Sequence, residues 1–324
     1  MDLEIVRRLV DSDIKEVDQL ISDCLKSEVK LLDTINDYLF KIKGKRIRPL
    51  LGILAAHSCG IVSKKTIVCA AVSEMIHTAT LLHDDVADNS LIRRGNKTIQ
   101  SLFSPAASVL TGDYWLSKAL SLLVSQEDYQ LMGFYTKAVE DLSEGELFQM
   151  QKAESSDTTQ DDYINIIARK TSSLFVATIS ACVYTSGASQ SIIESMSNYA
   201  YYLGIAFQIR DDIFDYLPEI DTGKKSGEDI KEKKITLPLI CALNVSPLEE
   251  KQKMLELIKD SDYDDESLSK VTYDFVNKYC GVLCAQNILS DYSKKAIESL
   301  EALDESEYKK ELEKLALYVG TRQE

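Results

Sequence analysis

The sequence predicts an all-α protein: one domain over residues 1–324, a bundle of antiparallel helices around a deep central cavity. Three observations carry that expectation. Apolar residues recur at helical spacing along nearly the whole chain, and no alternating run is long enough to make a strand. Glycine and proline are sparse, 13 and 5 in 324 residues, so little interrupts the helices. Two apolar runs end in the same acidic pattern, Asp84, Asp85 and Asp88 in one and Asp211, Asp212 and Asp215 in the other. Two such clusters on two apolar helices suggest facing walls of one cavity.

Taken in order, the stretch from about 2 to 25 places Ile14, Val17, Leu20, Ile21 and Cys24 on one helical face. Val29, Leu32, Ile35 and Leu39 do the same for a second helix. A basic loop, Lys43 to Arg48, leads into Pro49, which suits the first turn of a helix over Leu50 to Ser58. A long helix follows from about Ser63 to Asp88. Its middle, Ala70 to Leu82, carries one charge, Glu74, and so is buried nearly all round. Asn89 to Ser104 reads as a loop, and Pro105 opens a helix to about Val124. The next helix spans about Asp128 to Ala153, and Asp161 or Asp162 can cap the one that carries Arg169, Lys170 and Thr171. Thr171 to Ile193 is long and uncharged but studded with Ser, Thr and Gly187, which makes it a buried bundle helix and its turn. Gln190 to Tyr216 forms the second acidic helix. Leu217 to Lys234 is a Gly- and Lys-bearing loop that reads as a lid over phosphate. The remainder to Gly320 is helical.

The acidic clusters set the chemistry. Asp84 and Asp88 are four apart and share one helix face, with Asp85 beside them. Carboxylates crowded this closely ionise together only beside a cation. An oxygen-only donor set suits Mg²⁺, which takes one or two carboxylates plus phosphate oxygens and water. Around them lie basic groups: Lys45, Arg46 and Arg48; Arg93 and Arg94; Arg169 and Lys170; Lys224, Lys225, Lys233 and Lys234. His77, seven residues before Asp84, shares that helix side. Lys and Arg at a helix start oppose the macrodipole, a local cost that points to an anion held there. Acid for metal and base for phosphate indicate a diphosphate substrate. The net charge of −15 argues against nucleic acid as a partner. The 7 scattered cysteines read as reduced core residues, and Cys280 with Cys284 lacks the second pair a zinc site needs. An N-terminus charged throughout is no signal peptide, so the expected location is cytoplasmic.

These motifs resemble those of the trans-prenyl diphosphate synthases, most closely the bacterial long-chain, octaprenyl or solanesyl type. The resemblance covers nearly the whole chain. It rests on GKRIRP at Gly44 to Pro49, MIHTATLLHDDVAD at Met75 to Asp88, RRG at Arg93 to Gly95 and EGE at Glu144 to Glu146. RKT at Arg169 to Thr171, FQIRDDIFD at Phe207 to Asp215 and GKKSGEDIKEKKITLP at Gly223 to Pro238 complete it. It implies the isoprenoid synthase fold, a homodimer, and Mg²⁺ (three ions with the bound diphosphate) held by Asp84, Asp88 and Asp211 on an allylic diphosphate. Arg93, Lys170, Thr171, Gln208, Lys224 and Lys234 would contact that diphosphate. Lys45, Arg48, His77 and Arg94 would bind isopentenyl diphosphate. Lys233 stands where the family usually has Gly, which leaves Lys233 and Lys234 as alternatives; counting back from Thr236, Leu237 and Pro238 favours Lys234.

The implied chemistry is ionisation, condensation and elimination. Cations aimed at the departing diphosphate stabilise its charge, and a dry pocket protects the allylic cation. Ala79 and Thr80, five and four residues before Asp84, are small where short-chain members often carry an aromatic floor, so the tunnel stays open to a long product. From Asp84 back to Lys65 is ~28 Å of helix, room beside it for about six isoprene units of ~4–5 Å each. Met75, Leu123, Met132, Phe134 and Tyr135 are candidates for a deeper floor. A shorter product, a terpene cyclase and a non-catalytic partner subunit are the rival readings. A cyclase lacks a second basic substrate site, and a partner subunit would have lost carboxylates that are intact here. A long prenyl product would bring release to a membrane surface.

Overall fold

Helices form wherever the apolar periodicity demanded them. The structure, a computed structural model, describes residues 3–42, 44–93, 95–217, 230, 234–259 and 265–321. The expected first helix is two, α1 (Leu3–Leu9) and α2 (Asp11–Cys24), broken at Val10. Then come α3 (Lys30–Lys41), α4 (Ile47–Cys59) and α5 (Lys64–Ala87). The stretch 89–104, expected as loop, holds a two-residue hairpin pairing Ile92 with Lys97 and Arg93 with Asn96, followed by the short α6 (Ile99–Leu102). Such short strands leave no period-2 signature to read. Next are α7 (Pro105–Val124), α8 (Tyr129–Ser155) and α9 (Gln160–Ile167). A single π turn (Ala168–Ser172) joins α9 to α10 (Ser173–Thr185), and α11 (Gln190–Asp215) follows. The C-terminal helices are α12 (Leu237–Val245), α13 (Leu248–Lys259), α14 (Asp265–Lys278), α15 (Gly281–Glu298) and α16 (Glu307–Thr321).

Local chemistry sets the boundaries. Ser63 caps α5 through Thr66, and Ser104 caps α7 with Pro105 in the first turn. For α9 the cap is Thr159, not Asp161 or Asp162. Its hydroxyl accepts from the Asp162 backbone N–H at 3.1 Å, while the Asp162 carboxylate accepts from the Thr159 N–H at 3.0 Å.

The chain divides into two compact units. The first takes in the chain as far as Val139, with Leu174–Asn198 and Leu300–Lys314; the second takes in Glu140–Ser173, the chain from Tyr199 to Ser299, and the chain from Leu315 onward. In the first, α5 packs against α2, α4 and α7. Gly112 of α7 makes the α5–α7 approach possible, because a Cβ there would run into the His83 ring and lie 3.1 Å from the Ala79 carbonyl oxygen. Trp115 is buried with its indole N–H donating to Asn36 Oδ1 at 2.9 Å, and Asn36 donates in turn to the Leu25 carbonyl. Tyr135, fully buried, donates to the Cys69 carbonyl of α5 at 2.6 Å. Ile35, Leu82 and Ile99 form a small cluster under the end of α5.

In the second unit α12 packs on α14 and α15, and Ser293 of α15 donates to the Ala316 carbonyl of α16 at 2.6 Å. Tyr273 of α14 donates to the Asp215 carbonyl at 2.6 Å, satisfying an acceptor at the C-terminus of α11. The two stretches long and apolar enough to cross a membrane, Lys64–Ala87 and Gln160–Thr185, are mostly buried inside the protein. They are core helices, as the charge-poor middle of the first and the Ser and Thr residues of the second indicated.

Candidate active site

Both acidic motifs fall at the C-terminal end of a long helix with no basic residue in its last turn, and Arg210, just before the second motif, lies 3.7 Å from Asp211. The C-terminal end is the negative end of the macrodipole, the least favourable place for a carboxylate and a favourable one for a cation. In α5, Asp84 is half-buried, Asp88 is exposed and Asp85 is 5% exposed. Asp85 accepts from Arg93 Nε at 2.6 Å. Burial raises the Asp85 carboxyl above its ordinary value, Arg93 pulls it back, and Asp88 adds a smaller push upward. The Gln100 amide donates to the Asp85 and Ser90 carbonyls, and the Thr98 hydroxyl donates to Ser90 as well. The hairpin is thereby tied to the end of α5, and Arg93 is held beside the motif.

The basic loop is less uniform than its sequence suggests. Lys45 is exposed. Arg48, in the first turn of α4, lies over the Phe175 ring at 4.8 Å. Arg46 points the other way. It is 6% exposed, donates to Asp18 Oδ1 at 3.1 Å and to Glu74 Oε1 at 2.7 Å, and has left-handed backbone with φ 54°. That conformation costs a non-glycine residue about 1–2 kcal/mol. His77 is half-buried on α5, Ala79 is buried, and Thr80 donates to the His77 carbonyl.

The second unit holds a matching set. Lys170 and Thr171 lie in the π turn, a distortion frequent at functional sites. Facing it on α8 is the EGE motif: Glu144 pairs with Arg169, and Glu146 pairs with Lys170. Gln149 accepts from Lys170 at 2.9 Å. Between the two glutamates Gly145 lets the backbones meet, since a Cβ there would sit 2.9 Å from the Lys170 nitrogen. Thr171 donates to Gln208 at 2.8 Å, Gln208 to Asp212 Oδ1 at 2.7 Å, and Tyr163 of α9 to Asp212 Oδ2 at 2.6 Å. Asp212 is 5% exposed, as Asp85 is, while Asp211 is exposed and Asp215 half-buried. Arg210 is buried over Phe207, Phe214 and Tyr318, with ring distances of 4.9, 5.7 and 5.8 Å. Lys234 is half-buried just before α12. Arg94, Lys224, Lys225 and Lys233, and with them most of the expected lid, lie outside the described residues.

Among the described residues, no three histidine, cysteine or carboxylate side chains form a group that could hold a metal alone. Of the motif carboxylates Asp88 and Asp211 are exposed, and Asp84 and Asp215 are half-buried. This oxygen donor set fits Mg²⁺, which keeps several waters and binds through one or two carboxylates plus phosphate.

Sequence reasoning did not find Tyr163, Glu74 or the caged Arg210. Tyr163 has no signal in the chain, because its partner is 49 residues away. Glu74 did carry one, as the single charge in an otherwise apolar helix middle.

A family profile described as Polyprenyl synthetase matches residues 29–275. The octaprenyl diphosphate synthase of Haemophilus influenzae is 35% identical over 320 residues, covering 98% of this chain and 96% of that protein. The crystal structure of a decaprenyl diphosphate synthase from Rhodobacter capsulatus superposes with a TM-score of 0.92 at 31% identity, covering 98% of each chain. A Caulobacter crescentus polyprenyl synthase, solved with calcium and isoprenyl diphosphate, also gives 0.92 at 31% identity, over 100% of this chain and 98% of that one. With the profile spanning most of its length and relatives matching nearly end to end, the chain belongs to the polyprenyl synthetase family.

Proposed function

We propose that this prenyltransferase is a long-chain trans-polyprenyl diphosphate synthase, adding isopentenyl diphosphate repeatedly to an allylic diphosphate. The observation that carries the reading is the doubled arrangement at the helix ends. Each acidic motif has an exposed carboxylate for a cation (Asp88 in one, Asp211 in the other), a buried aspartate, and a bound basic or polar phosphate contact: Arg93 in one, Thr171 and Gln208 in the other. The reading asks the two motifs to serve one leaving group, within a single catalytic domain.

Asp84, Asp88 and Asp211 would hold Mg²⁺, which when bound neutralises charge on the leaving diphosphate. Arg93, Lys170, Thr171, Gln208 and Lys234 orient the allylic diphosphate and stabilise the charge that grows as the allylic C–O bond breaks. The bond's electron pair leaves with the diphosphate. Lys45, Arg48 and His77 hold isopentenyl diphosphate so that its double bond forms the new C–C bond. A proton is then lost to the released diphosphate, which leaves a new allylic product. Apolar walls exclude the water that would quench the cation.

Ala79 and Thr80 leave the start of the product path open. One observation favours a shorter product: Tyr135 is fixed on the Cys69 carbonyl, ~22 Å back along α5 from Asp84, which leaves room for about five isoprene units. The proposed partner is a second copy of the chain, supported by exposed apolar Leu102 and Phe103 at the end of α6 and Val109 and Leu110 on α7. Free thiols at all seven cysteines agree with a cytoplasmic location, with product release at a membrane surface.

The test is product analysis with labelled isopentenyl diphosphate, farnesyl diphosphate and Mg²⁺. A ladder ending at one long species is expected, and a stop after one or two additions supports the short-chain reading. Asp84→Ala should abolish turnover with the helical spectrum intact. Near-normal rates in that variant would refute the metal role.

A further inference from the structure

The GKRIRP loop holds three described cations in four positions, and the structure divides them. Lys45 is exposed and Arg48 half-buried, whereas Arg46 is turned into the first unit. Its guanidinium meets Asp18 of α2 at 3.1 Å and Glu74 of α5 at 2.7 Å, and all three side chains are largely out of solvent. The residue also adopts the left-handed region at φ 54°, where glycine is the usual choice. A glycine would relieve the backbone and lose both ion pairs. The chain has kept the side chain at the expense of the backbone.

Glu74 lies on α5, three residues before His77, so one helical turn separates the anchor from an expected contact of the homoallylic diphosphate. Lys45 and Arg48 flank the anchored residue at one and two positions. The Arg46–Glu74 pair therefore fixes the register between the loop that carries Lys45 and Arg48 and the helix that carries His77. Arg46's own charge is matched by two carboxylates.

We infer that Arg46, held by Glu74 and Asp18, is a positioning residue for the isopentenyl diphosphate site. It does not touch substrate; it sets where Lys45, Arg48 and His77 stand relative to one another. The inference deepens the proposed function and rests on its assignment of Lys45 and Arg48 to that substrate.

The experiment measures both KM values, kcat and thermal unfolding for Arg46→Met, Arg46→Lys, Asp18→Asn and Lys45→Ala in the full chain. Lys45→Ala should raise the isopentenyl KM alone, which tests the underlying assignment. If it does not, the anion-site reading fails and the inference goes with it. Given that rise, Arg46→Met should raise the isopentenyl KM about tenfold while the allylic KM stays within about twofold. Arg46→Lys should recover part of the loss through one remaining ion pair. Asp18→Asn, which removes the more exposed partner and leaves Glu74 in place, should shift the same KM about threefold in a folded protein, so the inference stays testable where Arg46→Met does not fold. A folded Arg46→Met or Asp18→Asn enzyme whose isopentenyl KM matches the parent would overturn the inference. So would a parallel rise in both KM values, which is what loss of stability alone would produce.

Discussion

Gly145→Ala separates what a glycine does for helix stability from what it does for catalysis. In the interior of α8, replacing glycine by alanine stabilises by about 1 kcal/mol through helix propensity. Opposing it, the added Cβ would stand 2.8 Å from Arg169 Cβ and 2.9 Å from the Lys170 backbone nitrogen. The second neighbour is backbone and cannot rotate away, so α8 and the π turn must separate by about 0.5 Å to restore ordinary contact. Overpacking of this kind costs ~1–3 kcal/mol, so the variant should be between neutral and about 2 kcal/mol less stable. The catalytic effect should be larger than that small change suggests. Lys170 is held by Glu146 and Gln149, both on α8, and a shift of the turn would move its ammonium off the diphosphate position proposed for it. With a 1 Å misplacement worth up to ~100-fold, half of that predicts about a tenfold loss of kcat. The assay is steady-state turnover with both diphosphates saturating, paired with thermal unfolding. A variant that melts higher than the parent and turns over normally would show that Gly145 is not there for the close approach.

Three further outcomes are expected. Ala79→Phe should shorten the dominant product, read by chromatography of the dephosphorylated chains; an unchanged length would move the product path off that face of α5. Tyr163→Phe removes one of the two described donors to the buried Asp212 carboxylate. It should destabilise by ~1.5–3 kcal/mol in urea unfolding and lower kcat/KM for the allylic diphosphate; unchanged stability would mean that Asp212 does not lean on this hydroxyl. Asp162 is held below its ordinary carboxyl value of 3.8, first by the Thr159 backbone N–H, so its cap strengthens the fold above that value and is lost as pH falls through the depressed one. Asp162→Asn should therefore be about 0.5–1 kcal/mol less stable than the parent near neutrality, with the gap closing below pH ~4, and a pH-independent gap would contradict the cap.

The helices that carry the site were legible because their signals are local. Ser63 and Pro105 mark helix starts, and the charge-poor middle of α5 marks a core helix. The i, i+4 aspartates place themselves on one face. What sequence could not reveal was direction. Arg46 reads as one more cation beside Lys45 and Arg48, and only the carboxylates of Asp18 and Glu74, 28 residues away on either side, turn it inward. EGE likewise shows no role of its own in the sequence until the π turn brings Arg169 and Lys170 against it, at which point each of its three residues has a separate task. The cap of α9 was missed for a different reason: Thr159, Asp161 and Asp162 are all good caps, and only geometry shows that Thr159 caps while Asp162 returns the bond.

The inward aspartates explain why each motif has three carboxylates rather than two. At about 100° per residue, the first and last aspartates of an i, i+1, i+4 set stand about 40° apart, and the middle one is turned about 100° from the first. On α5 and on α11 that middle residue is the 5%-exposed one. A lone buried carboxylate is costly unless it is bonded, and both are: Asp85 to Arg93, Asp212 to Gln208 and Tyr163. Two of these bonds lead to a group assigned to phosphate, Arg93 and Gln208, with Thr171 one step beyond Gln208, and the third, from Tyr163, only steadies Asp212. In the proposed function the outer aspartates would supply the oxygens a cation needs, and the inner one would tie that cation's helix to the side chains assigned to the same diphosphate. Two carboxylates alone would present charge to a metal without fixing where the phosphate contacts stand. The third would make the proposed metal and phosphate recognition parts of one rigid turn, which is what electrostatic stabilisation of a leaving group requires, because donors that must reorganise as charge develops lose most of their effect.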